Sequence, residues 1–161
     1  MPAVTTAYVK NIIRRGFSEL VDSSPTREEQ EMVWAHFENR CAYCGELLRR
    51  GAKQGHIDHL VSASQGGANA LGNRVLSCAS CNEREKLDRP WETFLRKKAT
   101  SDAVFLKRRE RILEWQQAHP VPNGQGREDR VSFARSRADE VVACFDKAVA
   151  QVRHRADGKR R

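Results

Sequence analysis

Two Cys-x-x-Cys pairs, Cys41-Ala-Tyr-Cys44 and Cys78-Ala-Ser-Cys81, lie 33 residues apart and constrain this chain more than any other feature. Two thiolates at this spacing turn toward one ion while nearby backbone amides approach the sulfurs. Four of them complete a closed tetrahedron around a structural Zn²⁺, with no position left open for chemistry. Gly45, directly after the first pair, suits the tight turn required there. The competing readings are buried free thiols, which need no regular pairing, and a redox Cys-x-x-Cys, which has no reason to occur twice. The fifth cysteine, Cys144, stands alone and reads as a core residue of a late helix.

Composition supports a small, stapled core. The 161 residues suit one domain, or a small core with helical extensions. Hydrophobic residues make up 39%, with only two Met and two Tyr, so a bound ion adding roughly 10 kcal/mol or more would matter for folding. Lys and Arg outnumber Asp and Glu by 29 to 21, a formal net charge of +8. That excess favours a polyanionic partner, because neutralised phosphates release counterions; the alternative is a solvated basic surface. No apolar run has signal-peptide or transmembrane length, so no membrane is expected and the cytoplasm is the expected compartment. There, cysteines serve metals more than disulfides.

Helical periodicity frames the cysteine pairs. Val9, Ile12, Ile13, Phe17 and Leu20 predict a helix over residues 6–21. Thr26 and Glu29 form a capping-box pattern for a second helix to about Asn39, with Val33 and Phe37 facing inward. Between the cysteine pairs the glycines multiply and the period disappears, predicting short strands at Ile57–Val61 and Arg74–Leu76 with a loop between. Helices return with Trp91, Phe94 and Leu95, and again after Ser101 with Phe105, Ile112 and Trp115. Residues 119–126 (HPVPNGQG) read as a linker. Beyond it Ala134, Ala138, Val141, Phe145, Ala148 and Val152 predict a long amphipathic helix, suited to docking a second copy or a partner protein, and then a basic tail.

The chemistry-bearing residues lie inside the clip. His56-Ile57-Asp58-His59 ends the first strand candidate, and Asn82 follows the second cysteine pair directly. Hydrolysis of a phosphodiester needs a base, which a neutral imidazole supplies near physiological pH. It also needs a hard divalent cation on oxygen ligands, for which a carboxylate and an amide suffice. Asp58 and His59 are neighbours, and zinc at Cys81 would carry Asn82 to them. His56 shares the side of Asp58 on a strand and is a candidate phosphate contact or a solvated side chain. His36, His119 and His154 read as ordinary histidines.

The stretch DHLVSASQGGANALGNRVLSCASCN, framed by the first cysteine pair, resembles the HNH endonuclease family, and its four-cysteine branch in particular. The resemblance covers roughly residues 37–95. It implies an α+β fold in which a small ββα-metal, treble-clef-like, zinc-stapled finger is flanked by N- and C-terminal α-helices. Combined with the helical periodicity and the linker, it gives an expected helical extension over residues 1–36, a nuclease domain over 37–118, and a C-terminal amphipathic helix with basic tail over 127–161. By position, Asp58 and Asn82 are implied as ligands of a catalytic Mg²⁺, Mn²⁺ or other divalent ion. His59 is implied as general base and Asn73 as the residue that orients it and holds the loop. Ser64, Gly66 and Gly67 match the turn after the first strand. The implied substrate is DNA, with RNA the alternative, in settings such as restriction, antiviral defence, phage DNA packaging or a mobile element. Many members place Lys three residues after the final Asn; here Lys86 lies four residues on, leaving Arg84 and Lys86 as equal candidates for a phosphate contact.

Overall fold

The computed structural model describes residues 4–51, 54–121 and 125–158. Part of the expected linker (122–124) and the last three residues of the expected basic tail lie outside them. The chain divides into two compact units, one formed by the segments Met1–Ser23 and Asn123–Arg161, the other by Ser24–Pro122. Among the described residues no helix is long and apolar enough to cross a membrane.

The first unit begins with α1 (Thr6–Val21), which Thr5 caps by accepting from the Tyr8 amide at 3.2 Å. In the second unit, hydroxyl caps again set the helix starts. Thr26 accepts from the Glu29 amide at 3.2 Å and the Glu29 carboxylate accepts from the Thr26 amide at 2.8 Å, opening α2 (Arg27–His36). This helix ends before the expected Asn39, because Glu38 and Asn39 adopt positive φ (52° and 55°) and turn the chain toward the first cysteine pair. Next come β1 (Gly55–His59) and β2 (Arg74–Cys78), which pair antiparallel with Asp58 opposite Val75 and His59 opposite Arg74. β1 lies about two residues earlier than expected. Its ladder ends where the Leu60 amide donates to the Asn73 carbonyl and the Val61 amide donates to the Asn73 side chain.

A π-helix (Ser80–Lys86) follows, then α3 (Trp91–Lys98) and α4 (Asp102–Ala118), the latter capped by Ser101 on the Val104 amide. The result is helices around a two-stranded antiparallel sheet and a four-cysteine cluster, consistent with a zinc-stapled ββα finger. Phe37, Tyr43, Leu76, Phe94, Leu95 and Ile112 fill its core. Trp115 ties the loop to α4 by donating to the Leu71 carbonyl at 3.0 Å.

The first unit is completed by α5 (Gln125–Gly158), which packs antiparallel on α1. Ion pairs Lys10–Asp146 (2.7 Å), Arg14–Asp139 (3.1 Å) and Asp22–Arg127 (2.7 Å) run along the seam. Ala134 and Ala138 are buried as expected, but Val142 is buried where the sequence pattern favours Val141, and Cys144, Ala148 and Val152 are exposed. The buried positions step by four, Ala134, Ala138 and Val142, so the packed face is turned from the one that the sequence pattern favours. Cys144 is therefore a surface thiol, not a core residue. Of the apolar stripe expected to dock a partner, Ala134 and Ala138 are covered within the chain, while Val141, Ala148 and Val152 stay exposed.

Two glycines should respond oppositely to alanine. A Cβ at Gly72 would collide with the His119 carbonyl oxygen, whereas one at Gly16, within α1, meets nothing within 4 Å. In urea denaturation, Gly72→Ala should destabilise by about 1–3 kcal/mol and Gly16→Ala should stabilise by about 0.5–1 kcal/mol.

Candidate metal centre and active site

The first knuckle is tied to the sheet and to itself. The Ala42 amide donates to the Leu76 carbonyl of β2 at 2.8 Å, and the Gly45 amide donates to the Cys41 carbonyl at 2.9 Å. Gly45 closes the turn at φ 79°, a conformation open to residues without a Cβ. The second knuckle begins at the last residue of β2, and its Cys81 amide points at Cys78 Sγ from 3.5 Å. The four ligand sulfurs of Cys41, Cys44, Cys78 and Cys81 thereby lie within 4.8 Å of one another, with Cys44 and Cys78 at 3.7 Å. A tetrahedral ion with Zn–S of about 2.3 Å needs sulfurs roughly 3.8 Å apart. The donors fit zinc in number, chemistry and spacing.

Without a cation, four thiols this close cannot all ionise. Hydrogen bonds from the Cys44 and Cys81 thiols hold Cys41 far below the usual thiol range. Burial, together with charge at Cys41 and Cys44, pushes Cys78 up to about 12. Hydrogen bonding to Cys41 and Cys44, then burial, raises Cys81 as well. A divalent ion removes the conflict by taking all four as thiolates and releasing their protons.

Tyr43, the residue inside the first knuckle, connects this cluster to Asp58. Its fully buried ring carries a hydroxyl that donates to Asp58 Oδ2 at 3.3 Å. From the other side comes Lys86, 1% exposed, whose ammonium donates to the His59 carbonyl at 2.6 Å and lies 3.4 Å from Asp58 Oδ2. Burial raises the Asp58 carboxyl while Lys86, Tyr43 and the His59 amide oppose that rise. Lys86 is thus spent inside the protein, and the phosphate contact considered for it in the sequence does not fit its position. The reason is the π-helix. Its i→i+5 bonding widens the turn by a residue, so a lysine four places after Asn82 still turns inward to β1.

Each remaining candidate has a definite place. Asn82 is half-buried in the π-helix next to Cys81, four residues before Lys86, a spacing of about one turn in such a helix. His56 faces a carboxylate, its Nε2 lying 3.5 Å from Glu83 Oε1, whereas Arg84 is exposed. Asn73, 4% exposed, accepts from the Val61 amide at 2.9 Å and donates to the carbonyls of Val61 (2.9 Å) and Ala68 (2.8 Å). It therefore clamps the loop. The imidazole is held by two residues that the sequence does not single out, Asn69 and Arg74. His59 Nε2 lies 3.0 Å from Asn69 Oδ1, and Arg74 Nη1 lies 3.2 Å from His59 Nδ1. A guanidinium only donates, so Nδ1 carries the lone pair and Nε2 the proton given to Asn69. Arg74 also donates to Asn69 Oδ1, closing the triangle. The cross-strand register is the available signal, since it sets Arg74 opposite His59.

Cys41→Ser should abolish stoichiometric zinc by elemental analysis and remove the cooperative thermal transition. Unchanged zinc content and melting temperature in that variant would dismiss the clip.

Residues 41–87 match the family model described as HNH endonuclease. No curated protein and no solved structure matches the chain. The matched segment runs from the first zinc-site cysteine to just past the π-helix, and it takes in Tyr43, Asp58, His59, Asn69, Asn73, Arg74, Asn82 and Lys86. Over that segment the chain is similar to the HNH endonuclease family.

Proposed function

We propose that this chain is a metal-dependent endonuclease that hydrolyses DNA phosphodiester bonds. The observation that carries the reading is the Asp58 carboxylate, half-buried between the ammonium of Lys86 and the phenol of the zinc-knuckle residue Tyr43, with His59 beside it on β1. A half-buried carboxylate and an adjacent imidazole, fixed to within hydrogen-bond distance of their supports, form a preorganised pair with little structural purpose of its own.

Asp58 and Asn82 are a hard oxygen donor set suited to Mg²⁺ or Mn²⁺, which when bound neutralises the phosphate and the departing oxygen. His59 takes the proton of the attacking water at Nδ1, the ring nitrogen with the lone pair. For this Arg74 turns its guanidinium from the ring toward the phosphate, whose oxygens match its planar fork. Asn69 keeps the proton on Nε2 and holds the ring in plane. Asn73 holds the loop that carries Asn69. Arg84, exposed on the π-helix, is placed to contact a neighbouring phosphate. One such unit cuts one strand, so a double-strand break requires two copies or a partner.

A second reading is a zinc-stabilised nucleic-acid-binding module without catalysis. What favours it is Arg74 itself, which meets the lone pair that the base needs. Nicking of supercoiled plasmid with Mg²⁺, Mn²⁺ or EDTA separates the two. Metal-dependent nicking is expected from the wild type, and His59→Ala should lower it by about 10²–10⁴-fold while keeping zinc and fold. Equal cutting by the two proteins would remove His59 from the mechanism, and no cutting under any metal would leave the binding module. Tyr43→Phe should keep its zinc yet cut about 10- to 100-fold more slowly; wild-type rates would show that the phenol does not position Asp58.

A further inference from the structure

We propose that a cavity of about 330 Å³ behind the first zinc knuckle is a second phosphate site, which grips the nucleic-acid backbone away from the bond to be cut. The proposal rests on the nuclease reading for the identity of the polyanion, and on the cavity itself for the rest.

Arg40, Lys107, Arg108 and Arg111 line the cavity together with a single carboxylate, Glu38. Arg111 donates to Glu38 at 2.7 Å. That hydrogen bond and the Arg111 charge hold Glu38 below the usual carboxylate range, with Lys107 and Arg40 adding to the effect. Three of the four cations thus act on one anion, and the cavity lining carries four positive charges against one negative.

Two of the guanidiniums are fixed by groups that carry no charge. Arg40 Nη1 donates to the Gly45 carbonyl at 3.2 Å, and Arg108 Nη1 donates to the Tyr43 carbonyl at 2.8 Å. A carbonyl orients a guanidinium without neutralising it, and the remaining N–H groups stay available for an anion. The turn is shaped around this arrangement, since a Cβ at Gly45 would collide with the Arg108 guanidinium. Lys107 and Arg111 lie four residues apart and so share one face of α4. Cations held before binding give up less side-chain freedom when a phosphate arrives. Arg40 and Lys107 are exposed, which keeps the site open to a passing strand. Zinc serves here as well, because the knuckle it closes provides both orienting carbonyls.

The test measures binding of a short DNA duplex by fluorescence anisotropy, without divalent ions, over a range of salt. Full-length zinc-loaded protein is compared with the double variant Arg40→Gln/Lys107→Gln. A control, Arg14→Gln/Arg109→Gln, removes the same two charges from arginines that pair with Asp139 and Glu92 and lie outside the cavity. The double variant should bind duplexes of any sequence several-fold more weakly. Its salt slope should flatten by about one for each phosphate that it no longer neutralises, while the control keeps the wild-type slope. If the double variant fails to retain zinc, Lys107→Gln alone carries the same expectation. Equal slopes for variant and wild type would overturn the proposal. So would inorganic pyrophosphate that binds tightly at the cavity without displacing duplex, which would mark a small-anion pocket. Because binding is read without cleavage, a protein that passes this test but never cuts DNA would refute the nuclease reading and leave the phosphate site standing.

Discussion

A cluster of four cysteines at one point organises the Ser24–Pro122 unit. Four thiols within 4.8 Å of one another are electrostatically unstable unless a cation converts them to ligands, and the same requirement fixes three separate stretches of chain. The first knuckle delivers Tyr43, with its hydroxyl on Asp58 and its carbonyl on Arg108. The second delivers the π-helix, with Asn82 at its start and Lys86 at its end. β2, which runs into the second knuckle, delivers Arg74 to His59. The apolar core around these elements is modest, so an ion held by the four sulfurs would add support that the packing alone does not supply.

Positive charge does different work at different positions, and burial decides which. Lys86 is buried and used inside the protein, on Asp58 and the His59 carbonyl, and Arg74, also buried, holds the imidazole and Asn69 and under the proposed function meets the scissile phosphate. Arg14 and Arg127 are used in ion pairs between two helices. The cations left to meet a polyanion are those held by uncharged groups or turned to solvent, such as Arg40 and Arg108 on knuckle carbonyls and the exposed Arg84. A net charge of +8 therefore overstates the binding surface, and its placement is the informative quantity.

Much of this is legible in the sequence because it depends on local chemistry. The Thr26–Glu29 capping box, the helix after Ser101 and the two cysteine spacings are short-range signals, and each appears where its residues predict. The HNH resemblance of the segment around Asp58 and His59 is legible for the same reason, since its motif is contiguous. What escapes depends on register between distant segments. Arg74 and Asn69 acquire their meaning only once β1 and β2 pair. Lys86 reads as displaced by one residue on an α-helical turn, and the π-helix absorbs the difference. The burial of Val142 in place of Val141 reflects which face of α5 meets α1, a long-range pairing that the spacing within α5 does not specify.

The central claim is that zinc at the cysteines gathers Asp58, His59 and Asn82 around one place for a second, harder cation. The most direct measurement is paramagnetic broadening by Mn²⁺ in the NMR spectrum of ¹⁵N-labelled protein, recorded with zinc bound and after zinc removal. The account predicts that low Mn²⁺ selectively broadens the amides of residues 58, 59 and 82 in the zinc-loaded protein, and that this selectivity vanishes without zinc. Broadening centred elsewhere, or an identical pattern in the zinc-free protein, would contradict it.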